Sequence, residues 1–332
     1  MKTSACATLP RMGSLLVTGA TGFVGRNLVL RTAAGGIPVR APVRNASKLR
    51  ACLEEDGLPR NSAVPLEPEP GGWGDPTHAV LSAGVLFARS REEYFSVNVD
   101  WALRSLRSLP PECRVVILSS QSAGGPTPAG RFARTEDDPD RPITWYGESK
   151  LALENAVARE FPDRSITILR PPMILGARDS ATLPLFKMAR GPVRTKPGLR
   201  KKFFSFLAVE DVVEAVFAAL ECSGRGPFYI ASDRPVSDIE LIASAARAAG
   251  GSGLTMRVPQ PLVRLLAAAV DAVPSWRAAA PSLTRDRAKE IWPARWVVDP
   301  SAFRTATGWS PRIGLDEALF AACQHYRAKK KL

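Results

Sequence analysis

Histidine is almost absent from this chain. His78 and His325 are the only two in 332 residues, so a histidine-built metal centre or a Ser-His-Asp hydrolytic machine lacks its raw material. The five cysteines, Cys6, Cys52, Cys113, Cys222 and Cys323, are odd in number and far apart, which excludes a zinc pattern of paired cysteines and a disulfide framework. No metal is expected, and a reducing, cytoplasmic setting is. No apolar run is long enough to cross a bilayer: Leu265 to Val273, the longest, is broken by Asp271. Met1 to Met12 lacks the apolar core of a secretion signal. Carboxylates are in deficit, with 32 Asp and Glu against 45 Lys and Arg and a formal net charge of +13. Such an excess suits nucleic acid, anionic lipid or an acidic small molecule. No nucleic-acid motif accompanies the charge, so nucleic acid is not an expected partner. The densest basic cluster, Lys187, Arg190, Arg194, Lys196, Arg200, Lys201 and Lys202, reads either as a solvated loop or as an attractor of a phosphorylated substrate.

What is present is an ordinary globular balance, 45% apolar and 23% charged, on a chain long enough for a large α/β unit with an appended region. Leu15 to Thr18 is a short apolar run, and Phe23 to Thr32 beyond it has helical character. Further strands are expected over Val39–Val43, Ala79–Ala83, Arg114–Leu118 and Ile166–Leu169. Strands alternating with helices imply a parallel sheet covered on both faces. Arg60 to Thr77, rich in proline and glycine, reads as a loop-like crossover without a strand. A helix over Val209–Glu221 and a strand over Phe228–Ile230 are expected in the less regular remainder.

Gly19, Gly22 and Gly25 are spaced three apart where the first strand hands over to the first helix. Glycines there permit a tight turn, let backbone N–H groups reach a pyrophosphate and let the helix pack closely on the sheet. The turn residues Thr21, Phe23 and Val24 belong to the same expected dinucleotide site. Arg44 lies just past the second strand, where an NAD-selective site carries a carboxylate, and no Asp or Glu occurs from Gly35 to Leu53. Its planar donor fork suits a 2'-phosphate, so NADP is expected, with NAD as the alternative. Arg40 is a second candidate, and a solvated surface arginine the competing reading.

Tyr146 and Lys150 are four residues apart and share one face of a helix, and Ser120 follows the strand Arg114–Leu118 at its carboxyl end. A phenol with a pKa of about 10 becomes a usable base when an ammonium group stabilises its phenolate. In this order GATGFVG, SSQSAGG, YGESK and LRPPMILG resemble an extended short-chain dehydrogenase/reductase of the NAD-dependent epimerase/dehydratase family; FLAVEDVV and VVDPSAFRTATGWSP extend the likeness over nearly the whole chain.

The resemblance implies that Tyr146 is the general acid/base, that Lys150 lowers its pKa and binds the nicotinamide ribose, and that Ser120 hydrogen-bonds the reacting oxygen. Ser122 is then a substrate contact, Asn98 and the Ser82-Ala83 turn line the cofactor, and Pro171 to Ile174 touches the nicotinamide amide. The fold expected is α/β, a doubly wound Rossmann-type parallel sheet over 12–174 after a flexible stretch 1–11. A smaller substrate-binding region over 175–332 follows, of which about 203–235 packs back on the sheet. Two departures weaken a sugar-nucleotide assignment: no clear counterpart of the adenine-side aspartate occurs in Pro65 to Pro76, and Gly124 replaces an aromatic residue, leaving space over the site. A ketoreductase or alcohol dehydrogenase acting on a small molecule is therefore expected. A sugar-nucleotide epimerase or dehydratase, and a non-catalytic nucleotide-binding regulator, are the alternatives. The apolar segment Pro261 to Trp296 reads as a packed helix, as a lid over a lipophilic substrate, or as a peripheral membrane contact. A homodimer is compatible with all of these.

Overall fold

The computed structural model describes residues 12–222, 224–273, 275–276, 280 and 283–332. The stretch expected to be flexible, 1–11, lies outside the described residues. A seven-stranded sheet forms the centre, built from β1 (Leu15–Thr18), β2 (Val39–Pro42), β3 (Ala63–Leu66), β4 (His78–Leu81), β5 (Arg114–Leu118), β6 (Ile166–Arg170) and, much later, β11 (Phe228–Tyr229). Every neighbouring pair is parallel and the order is β11-β6-β5-β4-β1-β2-β3. The order reverses between β1 and β4, and a doubly wound sheet binds its ligand in the crevice at such a point.

Strand side chains alternate between the two faces. Leu15 and Val17 join Leu28 and Val29 of helix α1 (Phe23–Ala34) and Val212 and Val216 of helix α8 (Val209–Glu221) on one side. Leu16, Val115 and Ile117 pack on the other side against Leu103 and Leu106 of α4 (Ala102–Ser108) and Leu153 and Val157 of α6 (Trp145–Glu160). Each of these leucines and valines, fully removed from water, contributes about 2 kcal/mol. A third core joins α7 (Leu183–Arg190), α9 (Asp238–Ala249) and the closing helix Leu315–Ala328.

Two sequence expectations fail here. The segment read as a strandless crossover contains β3, whose Pro65 is tolerated because β3 is the sheet's edge and one side needs no ladder bond. The basic stretch read as a solvated loop is the end of α7 followed by β8 (Val193–Pro197), paired with β13 (Leu254–Val258). Within it Lys196 is buried, 2.9 Å from Asp238, and Lys202 is buried over the Trp292 ring while donating to the Pro197 carbonyl.

Candidate active site

The glycine turn lies at the carboxyl end of β1, facing the end of β4. Gly19 has φ +72°, and a Cβ on it would sit 2.9 Å from the Ala83 nitrogen, so only glycine lets the two loops meet. A Cβ on Gly25 would collide with the Gly19 carbonyl oxygen, which fixes how closely α1 abuts the turn. Gly22 caps α1 without a side-chain hydrogen bond, is exposed, and no acidic residue occupies the first helical turn. The unsatisfied N–H groups and the positive end of the helix dipole therefore face solvent beside Thr21, Phe23 and Val24, a setting that fits a pyrophosphate. The Ser82 hydroxyl donates to the Thr18 carbonyl at 2.5 Å, and Ala83 N–H donates to the Thr18 hydroxyl at 3.1 Å. Ser82 and Ala83 thus offer the crevice a fixed backbone wall.

Arg44 is exposed between β2 and α2 (Ala46–Glu55), beside the glycine turn because β2 is the neighbour of β1. Its guanidinium has no hydrogen-bond or ion-pair partner among the described residues. Arg40, the second candidate, donates to the Trp73 carbonyl at 2.7 Å and is occupied structurally.

Ser120, Tyr146 and Lys150 converge. Ser120 caps the short helix α5 (Gln121–Gly124), its oxygen accepting from Ser122 N–H at 3.1 Å, and its side chain is near enough to Tyr146 to favour the phenolate. Thr144 caps α6, so the helix begins one residue before Tyr146 and its first turn carries the phenol. Lys150, one turn on, is 6% exposed, with its ammonium 6.0 Å from the Tyr146 ring centre and donating to the Leu118 carbonyl at 2.9 Å. Burial lowers the Lys150 pKa to about 8, opposed by the Glu154 carboxylate. Burial raises the Tyr146 pKa, against the nearby Ser120 hydroxyl and Arg287 charge. At neutral pH Tyr146 is therefore a protonated phenol, the form that can give a proton to a substrate oxygen.

Asn98 lies within one turn of π-helix, Ser96–Trp101, a distortion often found at functional sites. Its oxygen accepts from Val85 N–H at 2.8 Å, and its amide donates to the Val85 carbonyl at 3.2 Å and to the Ser149 hydroxyl at 3.0 Å. Both ends of the amide are spent on the loop beyond β4 and on α6, so Asn98 positions the wall on which Gly84 approaches Lys150. Pro171 accepts from Gln121 N–H at 2.9 Å, tying the end of β6 to the residue after Ser120. Ile174 stands on β7 (Met173–Leu175), paired with Leu207 and packed against the first core.

Several groups at the site carry no motif in the sequence. The Arg287 guanidinium lies over the Tyr146 ring, 5.2 Å from its centre, and is held by Glu290 at 3.0 Å. Glu290 also accepts from the hydroxyls of Thr144, at 3.0 Å, and Ser122, at 3.2 Å. Ser122 thus faces a carboxylate of the C-terminal region. Behind Lys150, Arg170 makes paired hydrogen bonds with both Asp140 and Glu154 and reaches the Tyr229 hydroxyl at 3.0 Å, while Ser119 donates to Glu154. This buried network locks α6 to β6. Tyr229 also corrects the expectation at Gly124: a Cβ there would collide with the Tyr229 hydroxyl, so the room left by the glycine is filled from β11 and is not open.

Residues 77–230 match the model of the NAD dependent epimerase/dehydratase family. The chain is 27% identical to the ceramide reductase of Caulobacter vibrioides, an alignment covering 95% of each chain. It is 32% identical to the sterol demethylase protein B of Methylococcus capsulatus over 65% of this chain and 68% of that one. Other relatives, at 24% and 28% identity, are also named a reductase and a ketoreductase. Among solved structures, the UDP-glucose 4-epimerase of Thermotoga maritima superposes with a TM-score of 0.72 at 20% identity over 96% of this chain and 99% of that one. Others of this fold are complexes with NAD and with NADPH. The chain belongs to the NAD-dependent epimerase/dehydratase family, and its relatives support an NAD(P)-dependent oxidoreductase.

Proposed function

We propose that the protein is an NADP(H)-dependent ketoreductase or alcohol dehydrogenase acting at a hydroxyl or keto carbon of a lipophilic small molecule. The observation that carries this reading is the convergence of the Tyr146 phenol with Ser120 beside it and the buried Lys150 ammonium 6.0 Å from its ring centre. The open amino end of α1 fits the cofactor's pyrophosphate, and the free guanidinium of Arg44 fits a 2'-phosphate. The lipid-like names of the ceramide and sterol relatives support the substrate class.

A nicotinamide held there would supply a hydride, a proton with two electrons, to the carbonyl carbon. Tyr146 gives its proton to the carbonyl oxygen, the C=O π bond breaks, and an alcohol and a phenolate result. The Ser120 hydroxyl donates to the same oxygen and orients it. Lys150 stabilises the phenolate by its charge until a proton from water restores the phenol. In the reverse direction the phenolate takes the alcohol proton as the hydride leaves.

Purified protein with NADPH and a panel of long-chain and polycyclic ketones should oxidise the cofactor in proportion to alcohol formed. Turnover of sugar nucleotides without net change in nicotinamide absorbance would replace this reading with an epimerase.

A further inference from the structure

We propose that the outer face of helix α10 (Gln260–Ala272), with the basic ribbon beside it, is a docking surface for an anionic lipid bilayer. The helix is apolar over a wider arc than the protein covers. Val263, Ala267 and Val270 are buried, whereas Leu262, Leu265 and Leu266, spaced i, i+3, i+4 on an adjoining face, are 48%, 67% and 46% exposed. Arg264 falls on the opposite side of the helix from these leucines. Burying only the first stripe would be enough to hold α10 on the protein, so the second stripe is surplus to the fold.

The chain leading into α10 has the same character. Leu254 and Met256 point to one side of β13 and are exposed, while Arg257 is exposed on its other side. Residues 193–202 and 254–272, which hold β8, β13 and α10, contain seven Lys and Arg and one acid, Asp271; Lys196 and Lys202 are buried, which leaves Arg194, Arg200, Lys201, Arg257 and Arg264 toward solvent. That acid accepts from Arg285 N–H at 2.9 Å. Stable attachment to a bilayer requires two signals, apolar insertion and attraction of cations to anionic headgroups, and this surface supplies both.

Charge also selects between occupants. A two-fold dimer through this face would set the patch against itself, basic against basic, whereas an anionic surface neutralises it. The docked helix lies on the rim of a cleft of about 290 Å³ between Tyr94 and Trp145 on one side and Asp271, Asp286 and Arg287 on the other. The inference does not depend on the proposed reaction, since it is read by binding alone.

The test is co-sedimentation of the full chain with phosphatidylcholine vesicles and with vesicles in which about a third of the lipid is phosphatidylglycerol. Wild type should sediment with the second kind only and be released by high salt. Leu262→Gln/Leu265→Gln/Leu266→Gln should weaken partitioning at least tenfold. Arg200→Gln/Lys201→Gln, exposed on the basic ribbon, should weaken it about fivefold per charge and flatten its salt dependence. Both should melt as wild type does, because the replaced side chains are exposed, and Phe320→Gln, at an exposed site on the closing helix, should change nothing. Failure of wild type to sediment with anionic vesicles, or unchanged binding by the triple variant, would overturn the proposal. So would a wild-type dimer in light scattering that the triple variant dissolves. Loss of the catalytic reading would show instead as absent turnover with sedimentation intact.

Discussion

Raising the pH should discharge Lys150 well before other lysines, and the consequence can be worked through. The ammonium is 6% exposed, has one hydrogen bond, to the Leu118 carbonyl, and feels the Glu154 carboxylate one turn on. Its pKa falls from an ordinary 10.5 to about 8, so burial costs the charged form on the order of 3 kcal/mol relative to the unfolded chain. Below about pH 8 that cost is fully present. Between 8 and 10.5 the unfolded chain holds the proton that the folded chain has released, and stability rises with pH from this group. Lys150→Met removes the effect, so urea unfolding of wild type and variant at pH 7 and pH 10 should show wild type gaining on the variant by up to about 3 kcal/mol. Activity should move the other way. If the ammonium stabilises the Tyr146 phenolate, kcat/KM falls tenfold per pH unit above about 8. An identical pH dependence of unfolding in wild type and Lys150→Met would refute the burial argument.

Tyr146→Phe should keep cofactor affinity, read by quenching of protein fluorescence, and lose turnover by about a hundred- to ten-thousandfold. Arg170→Met leaves Glu154 and Asp140 without their buried partner and should destabilise by about 3–5 kcal/mol in denaturant, with Arg170→Met/Glu154→Leu recovering part of it. Gly25→Ala should cost about 1–3 kcal/mol by overpacking and weaken NADPH binding at least tenfold, because the new methyl displaces the Gly19 carbonyl from the turn. Arg44→Ala should shrink the preference for NADPH over NADH by about tenfold in paired titrations; equal affinities in wild type would remove its assigned role.

The elements legible in the sequence are those set by local pattern. β5 and α8 have the bounds expected of them, because a continuous apolar run and a 3.6-residue period need no tertiary information. The glycine turn was readable for the same reason, since its spacing encodes the steric demands of Gly19 and Gly25 directly. β3 escaped because proline and glycine mask a strand whose edge position only the assembled sheet reveals. Lys196 and Lys202 looked solvated because their partners, Asp238 and Trp292, come from distant parts of the chain. The same holds for Arg287 and Glu290: their pairing is local, but their seat over Tyr146 and Ser122 is created by folding the C-terminal region back onto α6. Gly124 misled in a related way, because Tyr229 fills its space only once β11 has joined the sheet.

The most direct test supplies NADPH deuterated at its transferable position, with a ketone found in the panel, to wild type and Tyr146→Phe. Deuterium should appear at the carbinol carbon of the alcohol made by wild type, with the hydroxyl proton drawn from solvent and almost no product from the variant. Deuterium retained in the cofactor while product accumulates, or full turnover by the phenylalanine variant, would contradict a Tyr146 that hands its proton to the oxygen as the hydride arrives.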